Sequence, residues 1–218
     1  MDCDLILLRG FTSMSTERVL EEVYLCNDAA PFDRNNFLAL NHAEIFSRPR
    51  QKPLVAIGFY SLMPNHFHIG FQELEEGGSS KFLQKLGTSY SMYFNSKYGR
   101  VGSLFIGPCR SKHIADDRYF KRVTQYVHLN AAELFEPRWK QGSVIDMRLL
   151  EKKLRDYPYS SLRDFTSAMH PERSILNTQT MAFIREDCPT LRAVLEDSRA
   201  YYATLEQVKA DDKRKQKN

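Results

Sequence analysis

Two histidines one residue apart, His66 and His68, are the side chains best placed to do chemistry in this sequence. They lie at the start of an apolar run typical of a β-strand, where side chains alternate between faces, so both imidazoles point the same way. Pro64 and Asn65 directly before them predict a turn, because proline fixes φ and asparagine tolerates unusual conformations. Two imidazoles on one face beside a turn form half of a metal site. Ordinary structural or surface histidines are the alternative interpretation.

A tyrosine and a carboxamide occupy a second segment, about sixty residues further along the chain. Tyr126 and Asn130 are four residues apart in a helical pattern, so they lie one above the other on the same face. A phenol and an amide on one face suit a site completed by two histidines. Spacing alone favours Tyr126 as a core aromatic and leaves Asn130 as a possible helix terminator. His128 lies on a different face and is predicted to be structural or surface-exposed.

The hydrophobic patterns alternate between strands and helices. Apolar runs predict strands over residues 5–8, 54–62, 66–72 and 110–114, the second of them central in a sheet. Apolar residues three and four apart predict helices over residues 15–27, 81–98 and 117–134, with a short helix or irregular segment over 36–46. This order predicts an α+β fold, with a small antiparallel sheet covered by helices on one face.

The chain changes character after Pro137. Helical patterns recur over residues 148–156, 178–186 and 190–208, an aromatic turn is predicted at 157–161, and the end is rich in Lys and Arg. We therefore divide the chain into a domain of residues 1–135 and a helical C-terminal extension of residues 136–218.

Positive charge is concentrated in the middle of the chain. The 218 residues carry a formal charge of +4, but residues 81–130 hold nine basic residues against two acidic ones, a net +7 that leaves −3 for the rest. A basic segment in a nearly balanced protein favours a polyanion such as nucleic acid over a solvated helix face of mixed charge. The candidate DNA contacts in this segment are Arg110, Lys112, His113, Lys121 and Arg122.

The remaining composition narrows the class of protein. Hydrophobic content of 42% with 27% charged residues excludes wholesale disorder. The four cysteines are too scattered for a metal knuckle or a disulfide framework, so free thiols in a reducing compartment are expected. Acidic residues precede a short aliphatic run at the N-terminus, unlike a signal peptide, and no apolar run approaches a membrane span. We expect a cytoplasmic protein without a membrane partner.

Several segments together resemble the HUH single-tyrosine transposases. Residues 63–68 (MPNHFH) are similar to the histidine–hydrophobic–histidine signature of that family, and residues 126–130 (YVHLN) to the tyrosine helix of its REP-associated branch. The resemblance covers residues 54–165 in consistent order, through segments 77–82, 102–105 and 157–161. The first 50 residues diverge, and Ala131 and Ala132 stand where these proteins often have a proline.

The resemblance implies a ferredoxin-like core and a metal-dependent DNA enzyme. By position, His66, His68 and Asn130 hold a divalent cation, Mg²⁺ or Mn²⁺. Tyr126 is then the catalytic nucleophile, and residues 1–135 form the catalytic domain.

The implied substrate is single-stranded, hairpin-forming DNA. Tyr126 cuts the strand, leaving a 5′-phosphotyrosine and a free 3′-OH, and a second 3′-OH reverses the step to join new ends. No ATP is needed, in keeping with the absence of a Gly-x-x-x-x-Gly-Lys-Ser/Thr loop. The protein would act as a monomer or a homodimer. A catalytically inactive DNA-hairpin-binding protein with the same fold is the main alternative. A different HUH nuclease and a small metal-binding enzyme are two others.

Overall fold

Four strands form one antiparallel sheet in the computed structural model, which describes residues 3–9, 15–31, 40–105, 109–141, 143–166, 170–185 and 190–202. The strands are β1 (Cys3–Arg9), β2 (Val55–Met63), β3 (His66–Glu73) and β4 (Arg110–Ile114). The helices are α1 (Thr16–Cys26), α2 (His42–Ser47), α3 (Gly78–Tyr98), α4 (Asp117–Leu129), α5 (Ala132–Phe135), α6 (Met147–Asp156), α7 (Leu162–Thr166) and α8 (Thr178–Arg185). Residues 191–202 form a further helix, α9. Short 3₁₀ turns lie at Trp139–Gln141 and Pro171–Ile175.

The strand order is β2-β3-β1-β4, and each neighbouring pair is antiparallel. With α1 between β1 and β2 and α3 between β3 and β4, this order is that of a ferredoxin-like sheet. The predicted α+β fold with a helical C-terminal part is confirmed.

α1 and α3 pack on one face of the sheet and form the main hydrophobic core. Apolar side chains of α3 recur every four residues, so Phe82, Leu86 and Tyr90 all point at the sheet and are at most 1% exposed. They pack against alternate residues of β3, including Phe67 and Phe71. The predicted helix over residues 81–98 is confirmed and begins three residues earlier, at Gly78.

Helices also cover part of the opposite face, in addition to the single helical layer expected from the sequence. α4 and α8 pack there against Phe59 of β2, with contributions from Phe120, Val127 and Ile184. The ring of Phe59 occupies the space above Gly70 on the neighbouring strand, where a larger residue would collide with it. This second layer brings α4 over the face to which the histidines of β3 point.

β2 lies at the edge of the sheet, so the prediction that residues 54–62 form a central strand is wrong. Its apolar character has another cause, because all nine residues of β2 are buried under helices and the C-terminal extension. The N–H of Leu62 donates to the carbonyl oxygen of Tyr159 at 2.8 Å, and the N–H of Asn177 donates to that of Ile57 at 2.7 Å. The extension therefore satisfies backbone groups that an uncovered edge strand would leave unpaired.

The predicted helix over residues 117–134 is interrupted. α4 ends at Leu129, Asn130 and Ala131 form a turn, and α5 then runs for four residues. The N–H of Asn130 donates to the carbonyl oxygen of Val127 at 3.2 Å, three residues back instead of four. This tighter turn, common at helix ends, separates the two helices.

The other helical predictions agree with the structure where the residues are described. Three predicted helices are confirmed to within one residue at each end that the structure describes: 15–27, 148–156 and 178–186. In the segment predicted over 36–46, the described residues after the N-cap Asn41 are helical, and residues 36–39 lie outside the described residues. Residues 203–208 of the last predicted helix also lie outside them.

Two expectations from composition can be compared with the structure. Cys3, Cys26 and Cys109 are free thiols, and Cys188 lies outside the described residues. Among the helices that the structure describes, none combines the length and the apolar character that crossing a membrane requires.

His128 joins α4 to the segment that covers β2. Its Nε2 lies 2.8 Å from Oγ of Ser161, and that hydroxyl oxygen also accepts the N–H of Tyr60 at 2.9 Å. The imidazole is buried, which favours the structural interpretation of this residue. Burial lowers the pKa of His128 to about 3, because the charged ring would lose its solvation. The ring is therefore neutral near neutral pH.

We expect acid to destabilise the protein through His128. A histidine of the unfolded chain titrates near pH 6.5, whereas the folded chain holds the pKa of His128 at about 3. The unfolded state therefore binds the extra proton first, and stability that is complete above about pH 6.5 is lost as the pH falls. The expected loss approaches about 1.4 kcal/mol per pH unit.

Urea unfolding at neutral pH and at about pH 5 measures this loss, with His128→Gln as the variant that lacks the titrating group. An equal pH dependence in the wild type and in His128→Gln would contradict the assignment.

Candidate active site

The two histidines of β3 lie at the end of the β2–β3 hairpin and face the same side of the sheet. Pro64 and Asn65 form the turn, and Met63 pairs directly with His66 across it. The rings of His66 and His68 are 5.3 Å apart between centroids and nearly perpendicular, at 85°. His66 is half-buried and His68 is buried, so the pair lies partly within the fold at the end of the hairpin.

Tyr126 lies beside this pair within the same chain. Its ring centroid is 6.1 Å from that of His68, with the ring planes at 82°. The side chain is 42% exposed, whereas its helical neighbours Val123 and Val127 are buried. The alternative interpretation of Tyr126 as a core aromatic is therefore wrong. α4 buries its apolar stripe against the sheet and leaves the phenol at the rim.

Asn130 follows one turn after Tyr126 and faces the interior. It is 3% exposed, and its Nδ2 has no hydrogen-bond partner among the described residues. Asn130 is also the residue at which α4 ends, as the alternative interpretation expects. A half-turn of the amide exchanges nitrogen and oxygen, so the same position can hold a carbonyl oxygen, which is a metal ligand.

Ser61 is a polar residue of this region that sequence analysis did not identify. It pairs with His68 across the hairpin, which puts its hydroxyl and the imidazole on one face. Ser61 is fully buried, and within the described part of the chain its Oγ has no hydrogen-bond partner. A two-residue turn at Pro64 and Asn65 fixes this pairing, so counting back from the turn would have found it.

The donor set around the two histidines suits a divalent cation. No group of three or more His, Cys, Asp or Glu side chains that could hold a metal exists among the residues described, so the two imidazoles need other ligands. The unbonded polar atoms of Ser61 and Asn130 supply hydroxyl and amide groups in this part of the fold. Imidazole, amide and water ligands leave coordination positions open for phosphate oxygens.

The cations predicted to contact DNA divide between the two faces of the sheet. Arg110 pairs with Leu7, which itself pairs with His68, so Arg110 shares the histidine face. Lys112 shares that face, is exposed and lies 4.6 Å from the ring centroid of Tyr119.

His113 points to the other face, where its Nδ1 is 3.2 Å from Oδ1 of Asp4. The structure thus separates His113 from His66 and His68. Alternation along the predicted strand 110–114 already puts His113 and Lys112 on opposite faces.

Two more of the predicted cations lie on α4. Arg122 is exposed and lies one turn before Tyr126. Lys121 is half-buried, with its Nζ 5.8 Å from the ring centroid of Phe183. Arg122 is therefore the member of the pair that borders the phenol.

Lys140 is a cation beside Tyr126 that sequence analysis did not identify. Its Nζ is 5.9 Å from the ring centroid of Tyr126 and forms an ion pair with Glu133. Burial lowers the pKa of Lys140, but the hydrogen bond and charge of Glu133 and the nearby Tyr126 raise it to a net value above normal. The residue belongs to the C-terminal extension, and no local pattern connects it with Tyr126.

A groove of about 460 Å³ is lined in part by Tyr126. One wall is α4 and the other is α9, and the groove is lined by Arg122, Gln125, Tyr126, Leu129, Trp139, Asp197, Ser198, Tyr201 and Tyr202. We call this feature the α4–α9 groove. Tyr126 is the residue that this groove shares with the candidate site.

Comparisons with known proteins give one structural similarity. No protein-family model matches the chain, and no curated protein matches it significantly. Among solved structures, the chain is similar to a REP-associated tyrosine transposase bound to a REP hairpin, at 16% identity and a TM-score of 0.41, over 78% of this chain and 82% of the other. At that identity and TM-score the similarity by itself establishes no function.

We expect Ser61→Ala to stabilise the protein, because it removes a buried hydroxyl that has no partner in the described part of the chain. The gain in the free energy of unfolding should be about 1 kcal/mol. Ser160→Ala is the matched control, since Ser160 is equally buried but its Oγ accepts the N–H of Leu162 at 3.3 Å. Denaturant unfolding should show the control losing stability. Equal losses in both variants would mean that the Ser61 hydroxyl is satisfied.

Proposed function

We propose that this protein is a metal-dependent tyrosine DNA transposase that nicks and rejoins single-stranded, hairpin-forming DNA. The observation that carries the proposal is the exposed phenol of Tyr126, 6.1 Å between ring centroids from His68 and beside the His66–His68 pair. A phenol placed next to two same-face imidazoles that can hold a metal is an arrangement that supports covalent phosphoryl transfer through tyrosine. Both groups come from one chain, so a monomer suffices to build the site.

In the proposed cleavage step Tyr126 attacks a phosphodiester of the DNA strand. A bond forms between its Oη and phosphorus, and the bond from phosphorus to the 3′ oxygen breaks. The phenol proton passes to solvent, and the departing 3′ oxygen takes up a proton to become a hydroxyl. A second 3′-OH then attacks the phosphotyrosine and releases Tyr126, so the strand is rejoined without net hydrolysis.

The groups around the phenol support this role. Mg²⁺ or Mn²⁺ would be held by His66, His68 and Asn130, and when bound it supplies charge neutralisation and Lewis acidity at the scissile phosphate. Lys140 places a positive charge beside the ring and stabilises negative charge that develops on the phenol oxygen.

The substrate class is supported by the cations of the same face. Arg110 and Lys112 on β4 are exposed. On α4, Arg122 is exposed and Lys121 is half-buried. Cations on both sides of a nucleophile guide the DNA strand across it. Their contacts to phosphate add affinity for DNA but do not distinguish one DNA sequence from another. With DNA as its substrate, the protein would work in the cytoplasm, as the sequence suggests.

We expect wild-type protein incubated with Mn²⁺ and single-stranded hairpin DNA to form a covalent adduct that survives denaturing electrophoresis. Tyr126→Phe should form none, because it lacks the attacking oxygen, yet bind the same DNA within about two-fold, since a phenyl ring keeps the packing. If the wild type binds the hairpin and forms no adduct, the protein is a hairpin-binding protein and not a transposase.

We also expect His68→Ala to lose Mn²⁺ binding, because it removes an imidazole ligand from a set with few alternatives. His113→Ala is the matched control, a strand histidine on the opposite face, and should bind Mn²⁺ as the wild type does. Titration calorimetry on the protein without DNA separates the two. Equal affinity of both variants for Mn²⁺ would remove His68 from the metal site.

DNA binding should survive the loss of the metal site. His68→Ala is expected to bind hairpin DNA with a salt dependence close to that of the wild type, because cations and not the imidazole make the phosphate contacts. Affinity measured at several salt concentrations tests this, and a large drop in the salt slope would show that the imidazole face itself contacts phosphate.

A further inference from the structure

The α4–α9 groove is built from one stripe of each helix. On α4 the lining residues are Arg122, Gln125, Tyr126 and Leu129, at helical spacings of three, four and seven. On α9 they are Asp197, Ser198, Tyr201 and Tyr202, and Trp139 lies between the helices. Its volume of about 460 Å³ falls within the roughly 300–1,000 Å³ of small-molecule sites. The groove has the nucleophile of the proposed reaction in its wall.

The polar side chains of the groove are not engaged with each other or with the rest of the described chain. The side chains of these polar residues form no hydrogen bond or ion pair within the described ranges: Arg122, Gln125, Asp197 and Ser198. On the outer side of α9, by contrast, Arg192 pairs with Glu196 at 2.6 Å. The groove therefore offers a cation, an amide, a carboxylate and a hydroxyl to a ligand.

The aromatic residues of the groove form a series from its floor to its mouth. The ring centroid of Trp139 is 5.2 Å from that of Tyr202, which is 5.5 Å from that of Tyr201. Trp139 is buried, but Tyr201 is 62% exposed. An exposed aromatic side chain beside unpaired polar groups is the arrangement with which proteins stack unpaired nucleobases.

We propose that the α4–α9 groove binds one unpaired nucleotide next to the scissile phosphate, an inference that rests on the proposed function. The base stacks on Tyr201, and Arg122 contacts the adjoining phosphate. Gln125 and Asp197 bond to the edge of the base. Because a carboxylate only accepts hydrogen bonds, Asp197 bonds to an N–H group on the edge of the base.

The nucleotide interpretation fits this groove better than a purely apolar ligand would. Arg122 is exposed and one turn from Tyr126, so a phosphate bound to it lies near the phenol. Asp197 lies on the opposite helix, where a second phosphate would be repelled. A ligand with one anionic end and one hydrogen-bonding edge matches this distribution of charge.

Affinity measured with the non-cleaving Tyr126→Phe protein tests the proposal independently of catalysis. Hairpin DNA carrying a single abasic site at each unpaired position in turn is the probe. At one position beside the scissile phosphate, removing the base should weaken binding by about ten-fold, the order expected for one base stacked on an aromatic ring.

Adding Tyr201→Ala should cause a similar loss with intact DNA and no further loss with the DNA that is abasic at that position. Tyr98→Ala is the matched control, because Tyr98 is 54% exposed on α3, on the other face of the sheet. The change in affinity caused by Tyr98→Ala should be the same with intact DNA and with abasic DNA.

A flat abasic scan, or a Tyr201→Ala loss that persists with abasic DNA, would overturn the proposal. The proposed function is tested separately, by whether the wild-type protein forms a covalent adduct with DNA. An adduct with a flat scan refutes the groove alone. A base-dependent loss that requires Tyr201, without any adduct, refutes the transposase and leaves the groove as a nucleotide site. Failure to bind any hairpin DNA refutes both.

Discussion

Antiparallel pairing of β2 with β3 across a two-residue turn is the constraint on which the candidate site depends. The turn at Pro64 and Asn65 sets Met63 opposite His66, and every later pair up to the β-bulge follows from that one. A slip of one residue would move both imidazoles to the core face and expose the apolar residues that alternate with them along β3. The hydrophobic core beneath β3 therefore fixes the position of the site as firmly as it stabilises the fold.

The candidate site includes buried polar groups that have no hydrogen-bond partner among the described residues. The hydroxyl of Ser61 and the amide nitrogen of Asn130 are buried without partners in the described part of the chain, which costs folding free energy. His128, on the same helix as Tyr126, is instead hydrogen-bonded to Ser161, and its imidazole stays neutral near neutral pH. Polar groups left unsatisfied beside two imidazoles are the kind of local cost that proteins accept at functional sites.

Residues beyond position 136 contribute to the sheet and to the surroundings of the phenol. Tyr159 and Asn177 bond to the free edge of β2, which an uncovered antiparallel sheet would expose to other chains. Lys140 brings a charge to Tyr126, and α9 supplies the second wall of the adjoining groove. The segment that sequence analysis separated as an extension is thus packed against both the sheet and the candidate site.

The sequence by itself determined the elements and the side chains that share a face. Strand alternation placed His66 with His68, the four-residue repeat of apolar side chains predicted α3, and Pro64 with Asn65 predicted the hairpin. These features are local, because the periods of the helix and the strand relate each residue only to near neighbours in the chain. The order of elements was also enough for the α+β class.

Tertiary structure decided which elements meet. An apolar run such as β2 is compatible with a central strand or with an edge strand buried by other segments. The strand order β2-β3-β1-β4 makes it an edge, and the packing of Tyr159 and Asn177 covers that edge. Likewise, no pattern in the sequence connects Lys140 or Tyr201 with Tyr126, because contacts between distant segments depend on how whole helices pack. The exposure of the phenol beside His68 was decided at the same level, when α4 buried its apolar stripe and left that one aromatic side chain at the rim.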